Sequence, residues 1–190
     1  MLIISQNASN YGIPLPSDAF YRIDLAWINN IQEFEELLKK HKNHKIFLDL
    51  PINRVKPPNN KYSLNDISQI LKSYNNIKYF AISNVNSSKD LERYIQFIPN
   101  NIILVPKIES PEGISNVSEI VQAIPGQEKI LMLDHDDLFS ALTKLNESPD
   151  KFKDYINELV EFCKEKNITL LRTIGVIFSD EEKRITEYIN

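Results

Sequence analysis

Glycine is scarce in this 190-residue chain, which holds four: Gly12, Gly113, Gly126 and Gly175. Neither G-x-G-x-x-G nor G-x-x-x-x-G-K-[ST] can be assembled from them, so the usual loops that cradle nucleotide phosphates are excluded. Cysteine occurs once, as Cys163. That rules out an internal disulfide framework and a cysteine-rich zinc site, and it leads us to expect a reducing, cytoplasmic setting. Positive charge is not in excess: 22 Lys and Arg stand against 26 Asp and Glu, a formal net charge of −4. A sequence-independent nucleic-acid partner is therefore not expected. No apolar run approaches the roughly 18 residues of a membrane span. The opening MLIIS carries no basic stretch ahead of an apolar segment, so neither a signal peptide nor a membrane partner is expected. The sequon Asn116-Val117-Ser118 then reads as an accident of an asparagine-rich chain.

What remains is the composition of a globular domain, 42% hydrophobic and 25% charged. Short runs rich in Ile, Leu, Val, Phe and Tyr predict strands at Leu2–Ser5, Phe20–Trp27, Lys45–Leu50, Ile77–Ser83, Ile102–Ile108, Ile130–Leu133 and Ile168–Ile177. Several are apolar almost throughout, as strands buried on both faces are. Amphipathic stretches lie between them: Asn29–His41, a helix opened by the S-x-x-D cap at Ser63, then Ser88–Ile98 and Ile114–Ile124. The longest helix follows Ser148, and a last one is capped at Ser179 and runs to Asn190. The stretch Pro51–Lys61 reads as a loop excursion. Strand–helix alternation at this spacing predicts an α/β fold with a parallel sheet.

Parallel α/β folds carry function at the C-terminal ends of their strands. Those ends are charged here. Arg22 and Asp24 lie in the second strand, Asp49 ends the third with Arg54 beyond it, and Ser83 ends the fourth. The fifth ends Lys107-Ile108-Glu109, the sixth runs into Asp134-His135-Asp136-Asp137, and the seventh carries Arg172 and Thr173. Any one of these can be a solvated loop charge; so ordered a set is harder to explain that way. Lys107 and Glu109 are two residues apart and share a strand face. Facing a barrel axis, Glu109 can bind a hard divalent cation, with Asp137 as a second oxygen ligand, which is how Mg²⁺ is usually held. A Lys107–Glu109 or Lys107–Asp137 ion pair without metal is the structural alternative. His135 reads either as a general base or as an exposed turn residue beside three aspartates. His41 and His44 suit a helix C-terminus, Cys163 suits a core position, and Trp27 either packs at a strand exit or walls the site.

The segments VPKIESPEG (Val105–Gly113) and LMLDHDDL (Leu131–Leu138) together resemble the metal-binding core of the pyruvate kinase and phosphoenolpyruvate-utilising barrel superfamily. That superfamily includes the HpcH/HpaI class II aldolases and lyases of the citrate lyase β-subunit type. YRIDLAW, FLDLPINRVK, FAISNVNSSKDL and ITLLRTIG resemble further strands of the same barrel, in the same order, over most of the chain. The resemblance implies a (β/α)₈-type TIM barrel. The chain is short for one, which typically takes about 250 residues and rarely fewer than about 200. The expectation is thus a single compact barrel domain over residues 1–190 with about seven βα units and no evident eighth strand. By the same resemblance Lys107 faces an enolate, and Glu109 and Asp137 bind Mg²⁺ or Mn²⁺. The resemblance likewise implies that Arg22 and Arg54 neutralise substrate charge, that Thr173 is the active-site threonine and that Ser83 is the family's serine; Asp49, His135 and, through its backbone N–H, Asp136 are further candidate substrate-facing residues.

The departures from the kinases matter too. Only a short loop lies between Leu50 and Ser63 where they insert a lid domain, and no C-terminal regulatory domain is expected. Asp24 and Ala26 replace residues that help to hold K⁺ in the kinases, and Asp136 replaces a glycine. The expected activity is a metal-dependent carbon–carbon lyase or aldolase acting on the enolate of pyruvate, a related 2-oxo acid or an acyl group, with a pyruvate-kinase-like phosphotransferase as the less favoured alternative. A homo-oligomer is expected. A reduced barrel serving as a partner subunit is the alternative from another class.

Overall fold

The computed structural model describes residues 2–6, 16–52 and 62–172. Its strands are β1 (Ile3–Ser5), β2 (Phe20–Asp24), β3 (Lys45–Leu50), β4 (Ile77–Ile82), β5 (Ile103–Ile108), β6 (Ile130–Leu133) and β7 (Thr169–Arg172). All neighbours are parallel, and the sheet order is the chain order, β1 to β7. Parallel neighbours need crossovers, and right-handed crossovers in unbroken order put the connections on one side of a sheet that curls around the other. The result is a half-barrel of seven strands with no eighth among the described residues.

The helices are α1 (Ile31–Lys40), α2 (Leu64–Ser73), α3 (Lys89–Ile95), α4 (Pro111–Ser115), α5 (Val117–Ala123), α6 (His135–Lys144) and α7 (Lys151–Glu165). Their apolar stripes pack on the outer face of the sheet. Ile23, Leu48, Phe80, Leu104 and Leu133 there form one core with Phe34 and Leu38 of α1, Ile67 of α2 and Leu159 of α7. The concave face has its own smaller cluster of Phe47, Tyr79, Ala81, Val105, Ile130 and Met132, joined by Phe20 and Leu171. Strand side chains alternate between the faces. Counting on in twos from that inner cluster, the inward positions at the C-terminal rim are Arg22 and Asp24, Asp49, Ser83, Lys107 and Glu109, and Asp134.

Local chemistry explains where the elements depart from expectation. β2 stops at Asp24 because its carboxylate accepts the Ala26 N–H at 2.9 Å and starts a 3₁₀ turn at Leu25–Trp27, leaving Trp27 half exposed. The helix expected over Ile114–Ile124 is two helices: Ser110 caps α4, Pro111 opens it, and it breaks at Asn116 before α5. Ser63 and Asp66 form the expected capping box on α2. Helix α6 was not expected at all. Four polar residues in a row, Asp134 to Asp137, read as a turn, but Asp134 is an N-cap whose carboxylate takes the first N–H groups of the helix. Gly113 of α4 packs so closely that a Cβ there would lie 2.6 Å from the Val85 carbonyl. The far part of the last predicted strand, the helix predicted to Asn190 and most of the loop Pro51–Lys61 lie outside the described residues. Among the described residues no helix is long and apolar enough to cross a membrane.

Candidate functional site

The inward rim positions meet in one buried ionic cluster. Asp49, at the end of β3 and 1% exposed, is its centre. Its Oδ2 accepts from Arg22 Nε at 3.1 Å and also from the Arg22 Nη2 group, and it lies 3.4 Å from Lys107 Nζ. Lys107, 4% exposed, reaches Glu109 Oε1 at 2.8 Å and donates to Ser83 Oγ at 3.2 Å. Ser83 Oγ in turn donates to Asp49 Oδ1 at 3.5 Å, a long contact. Glu109, 1% exposed, accepts the Asn84 backbone N–H on Oε2 at 2.7 Å. β2, β3, β4 and β5 thus each contribute at least one member, and the strand register brings them together. Arg22 lies beside Phe47 and Asp24 beside Asp49, while Asp49 lies beside Ala81.

Burial and pairing pull the protonation equilibria apart. Burial disfavours the Lys107 ammonium, but the charges of Asp49 and Glu109 outweigh it and hold its pKa above the ordinary lysine value. Arg22 is held up in the same way by Asp49. Burial would raise the Asp49 carboxyl, yet Lys107 and Arg22 hold it below the usual carboxylate value. Glu109 goes the other way: burial raises it, Asp134 adds to that, and Lys107 and the Asn84 N–H only partly offset the rise. Asp24 is raised by burial and by Asp49. Lys107 is thus a fixed cation at neutral pH. It can neutralise developing negative charge and donate a proton; it is not a neutral base.

Beyond Glu109 the cluster opens toward two more carboxylates. Oxygens of Glu109, Asp134 and Asp137 lie within 4.8 Å of one another, running from buried Glu109 through half-buried Asp134 to exposed Asp137. Hard oxygen donors in this number fit a hard divalent cation. Asp134 is a site residue that the sequence expectation did not include. The signal was the alternation Ile130, Met132, Asp134, which puts it on the inner face with Lys107 and Glu109.

Lys107, Glu109, Arg22, Asp49 and Ser83 therefore come together, and Asp137 stands at the rim. Asp136 is exposed, and its N–H, expected to meet a substrate carboxylate, donates to Asp134 Oδ1 at 3.2 Å. His135 is neither an exposed turn residue nor part of the inward cluster. It is 4% exposed in the first turn of α6, edge-on to Phe152 of α7 and 3.3 Å from Arg172 Nη2. The reason is helical geometry, which turns position 135 toward α7 while Asp134 stays with the sheet. Burial, then the Arg172 charge, lower its pKa. Arg54 and Thr173 lie outside the described residues.

A parallel, TIM-barrel-like α/β sheet with an ionic cluster at the C-terminal ends of its strands is the class that fold and site define. Among solved structures the chain is similar to RipC from Yersinia pestis, with a TM-score of 0.61 and 16% identity over 98% of this chain and 83% of that one. It is also similar to an HpcH/HpaI aldolase/citrate lyase family protein from Burkholderia cenocepacia J2315, with a TM-score of 0.56 and 13% identity over 89% and 76% of the two chains. At these identities the likeness shows the fold. No family model and no curated protein matches the sequence.

Proposed function

We propose that the chain is a divalent-metal-dependent carbon–carbon lyase or aldolase that works through the enolate of pyruvate, a related 2-oxo acid or an acyl group. One observation carries the reading. Among the described residues, inward-facing Asp24, Asp49, Glu109 and Asp134 outnumber Arg22 and Lys107, and the surplus is concentrated where Glu109, Asp134 and Asp137 converge. A surplus of buried and half-buried carboxylates calls for a cation. The solved aldolase/citrate lyase family neighbour, similar in fold, supports the choice of reaction class.

Glu109, Asp134 and Asp137 would hold Mg²⁺ or Mn²⁺, which supplies carbonyl polarisation and charge neutralisation when bound. Lys107 faces the same opening and neutralises or protonates the enolate oxygen. Arg22 stays oriented by Asp49, and its guanidinium is available to a substrate carboxylate. Ser83 bridges Asp49 and Lys107 and sets the direction of the ammonium. The test is hydrogen–deuterium exchange at the methyl group of pyruvate and of several other 2-oxo acids, with Mg²⁺ and Mn²⁺. Metal-dependent exchange, lost in Glu109→Gln, is the expected result; no exchange with any pairing rejects the enolate chemistry.

The sheet ends favour a second reading. Among the described residues β1 and β7 are the two ends of the sheet, and unpaired parallel edges invite another chain. In that reading the barrel is completed by a second copy. A stable monomeric mass in solution, with one cooperative unfolding transition, rejects it.

A further inference from the structure

The carboxylate of Glu109 is gripped from two sides, by Lys107 on Oε1 at 2.8 Å and by a backbone N–H, that of Asn84, on Oε2 at 2.7 Å. Asn84 follows Ser83 at the exit of β4 and has φ of 54°. That left-handed conformation is disfavoured for residues bearing a Cβ, and asparagine tolerates it better than most. The side chain works separately from the backbone: Nδ2 donates to the Ile52 carbonyl at 2.6 Å, at the exit of β3. One residue on, the Val85 N–H donates to the Lys107 carbonyl at 3.2 Å. The chain leaving β4 is therefore fastened to β5 at both Lys107 and Glu109, and to β3 at Ile52.

We propose that Asn84 is a positioning residue for the Glu109 carboxylate. Its left-handed backbone aims the N–H that fixes the carboxylate plane, and its side chain ties that turn to the neighbouring strand exit. The proposal rests on the reading of Glu109 as a cation ligand and names what orients that ligand. A carboxylate has about four acceptor positions. Among the described residues the Asn84 N–H and the Lys107 ammonium occupy two, and the others are open to the ion. Without the N–H, Glu109 is free to turn wholly onto Lys107.

Two separate roles make the proposal testable by substitution. Glycine at position 84 keeps the N–H and takes the left-handed conformation without a Cβ penalty, but it loses the tie to Ile52. Valine keeps the N–H but resists that conformation, so the donor swings away. Alanine is the milder form of the same change, should the valine variant fold poorly. Mn²⁺ binding, followed by the electron paramagnetic resonance of the free ion, should weaken about tenfold in Asn84→Val and less in Asn84→Ala, as for loss of a group orienting a ligand. Asn84→Gly should stay within about threefold of the parent. If glycine weakens binding as much as valine, the side-chain tie alone matters and the proposal is overturned; if none of the three changes affinity, it is overturned as well.

A metal-free measurement separates this from the reading beneath it. In the ¹H–¹⁵N spectrum of the metal-free protein, Glu109→Gln should shift the amide proton of Asn84 upfield, because a charge-assisted hydrogen bond becomes a neutral one. An unmoved Asn84 amide rejects the positioning contact outright. A shifted amide in a protein that binds no Mn²⁺ supports the positioning contact and rejects the metal reading alone.

Discussion

Replacing Asp49 by Asn should be among the most destabilising single changes available in the described sheet. The substitution preserves shape and removes one charge from a site that is 1% exposed. Arg22 loses both of its hydrogen bonds to an anion, and Lys107 loses one of two carboxylates. Breaking a buried pair from one side costs about 3–5 kcal/mol. Because Lys107 keeps Glu109, the lower end applies, about 3 kcal/mol. For a chain of this size that lowers the melting temperature by roughly 6–12 °C. Urea unfolding followed by circular dichroism measures the loss, and Lys107→Met supplies the second arm of a double-mutant cycle. The two changes remove a shared interaction, so the double variant should lose about 1–3 kcal/mol less than the sum of the singles. Asp49 has a lowered pKa in the folded state. Its contribution is therefore complete above the unfolded value of about 3.9 and is lost only as pH falls through the lower folded one. Lys107, raised, contributes fully below about 10.4 and loses its contribution only as pH rises through the folded value. The titration of Asp49 and Lys107 themselves thus adds no slope to the penalty of Asp49→Asn between about pH 5 and pH 9. A penalty under about 1 kcal/mol, or strict additivity with Lys107→Met, refutes the idea that Asp49 organises the cluster.

Three further outcomes are expected. His41 stacks on Tyr21 with centroids 3.7 Å apart, and burial, His44 and Lys40 lower its pKa to about 4. The unfolded chain then takes up the proton first on acidification, so stability on the order of 1 kcal/mol should be lost between pH 7 and pH 5 once solvent screening is allowed for, and His41→Phe should flatten that slope in urea titrations. Gly113→Ala should lower stability by about 1–3 kcal/mol, because a backbone carbonyl and not a flexible side chain occupies the space of the new Cβ; an unchanged melting temperature would contradict the close approach. Mn²⁺ at one hundred times its dissociation constant should stabilise the folded chain by about 2.7 kcal/mol in thermal unfolding, an effect absent from Glu109→Gln.

Much of the fold was legible because parallel strands and amphipathic helices leave different periodicities. The runs Lys45–Leu50 and Ile130–Leu133 have the boundaries their apolar content indicates, and Ser63 caps α2 as its spacing to Asp66 implies. The misreadings occurred where a side chain replaced a backbone partner. Asp24 ends β2 early by taking a backbone N–H, and Asp134 starts α6 in the same way. Short polar residues that bond their own backbone leave no hydrophobic period to read. In the site, Lys107 and Glu109 were legible from their spacing of two. The role of Asp49 as the anchor of both cations was not, because it depends on strand register. Nor was the burial of His135, since four consecutive polar residues give no sign that one of them turns under a helix.

The two most buried carboxylates of the cluster are chemically alike and are driven in opposite directions. Asp49 lies between two cations, so ionisation is favoured there and its oxygens are committed. Among the described residues Glu109 shares one of those cations, receives one backbone N–H and faces Asp134, so its ionised form is undersupplied with positive charge. Environments that push paired acids apart divide labour between them. Asp49 is suited to holding Arg22 and Lys107 in place, and Glu109 to accepting the charge of an incoming cation. Lys107 touches both. A cation held by Glu109 would take up part of its charge and loosen its hold on the ammonium, while the hold of Asp49 would be unchanged. Lys107 would then remain anchored at its strand with less of its charge spent on Glu109, and in the proposed reaction that charge would face the enolate.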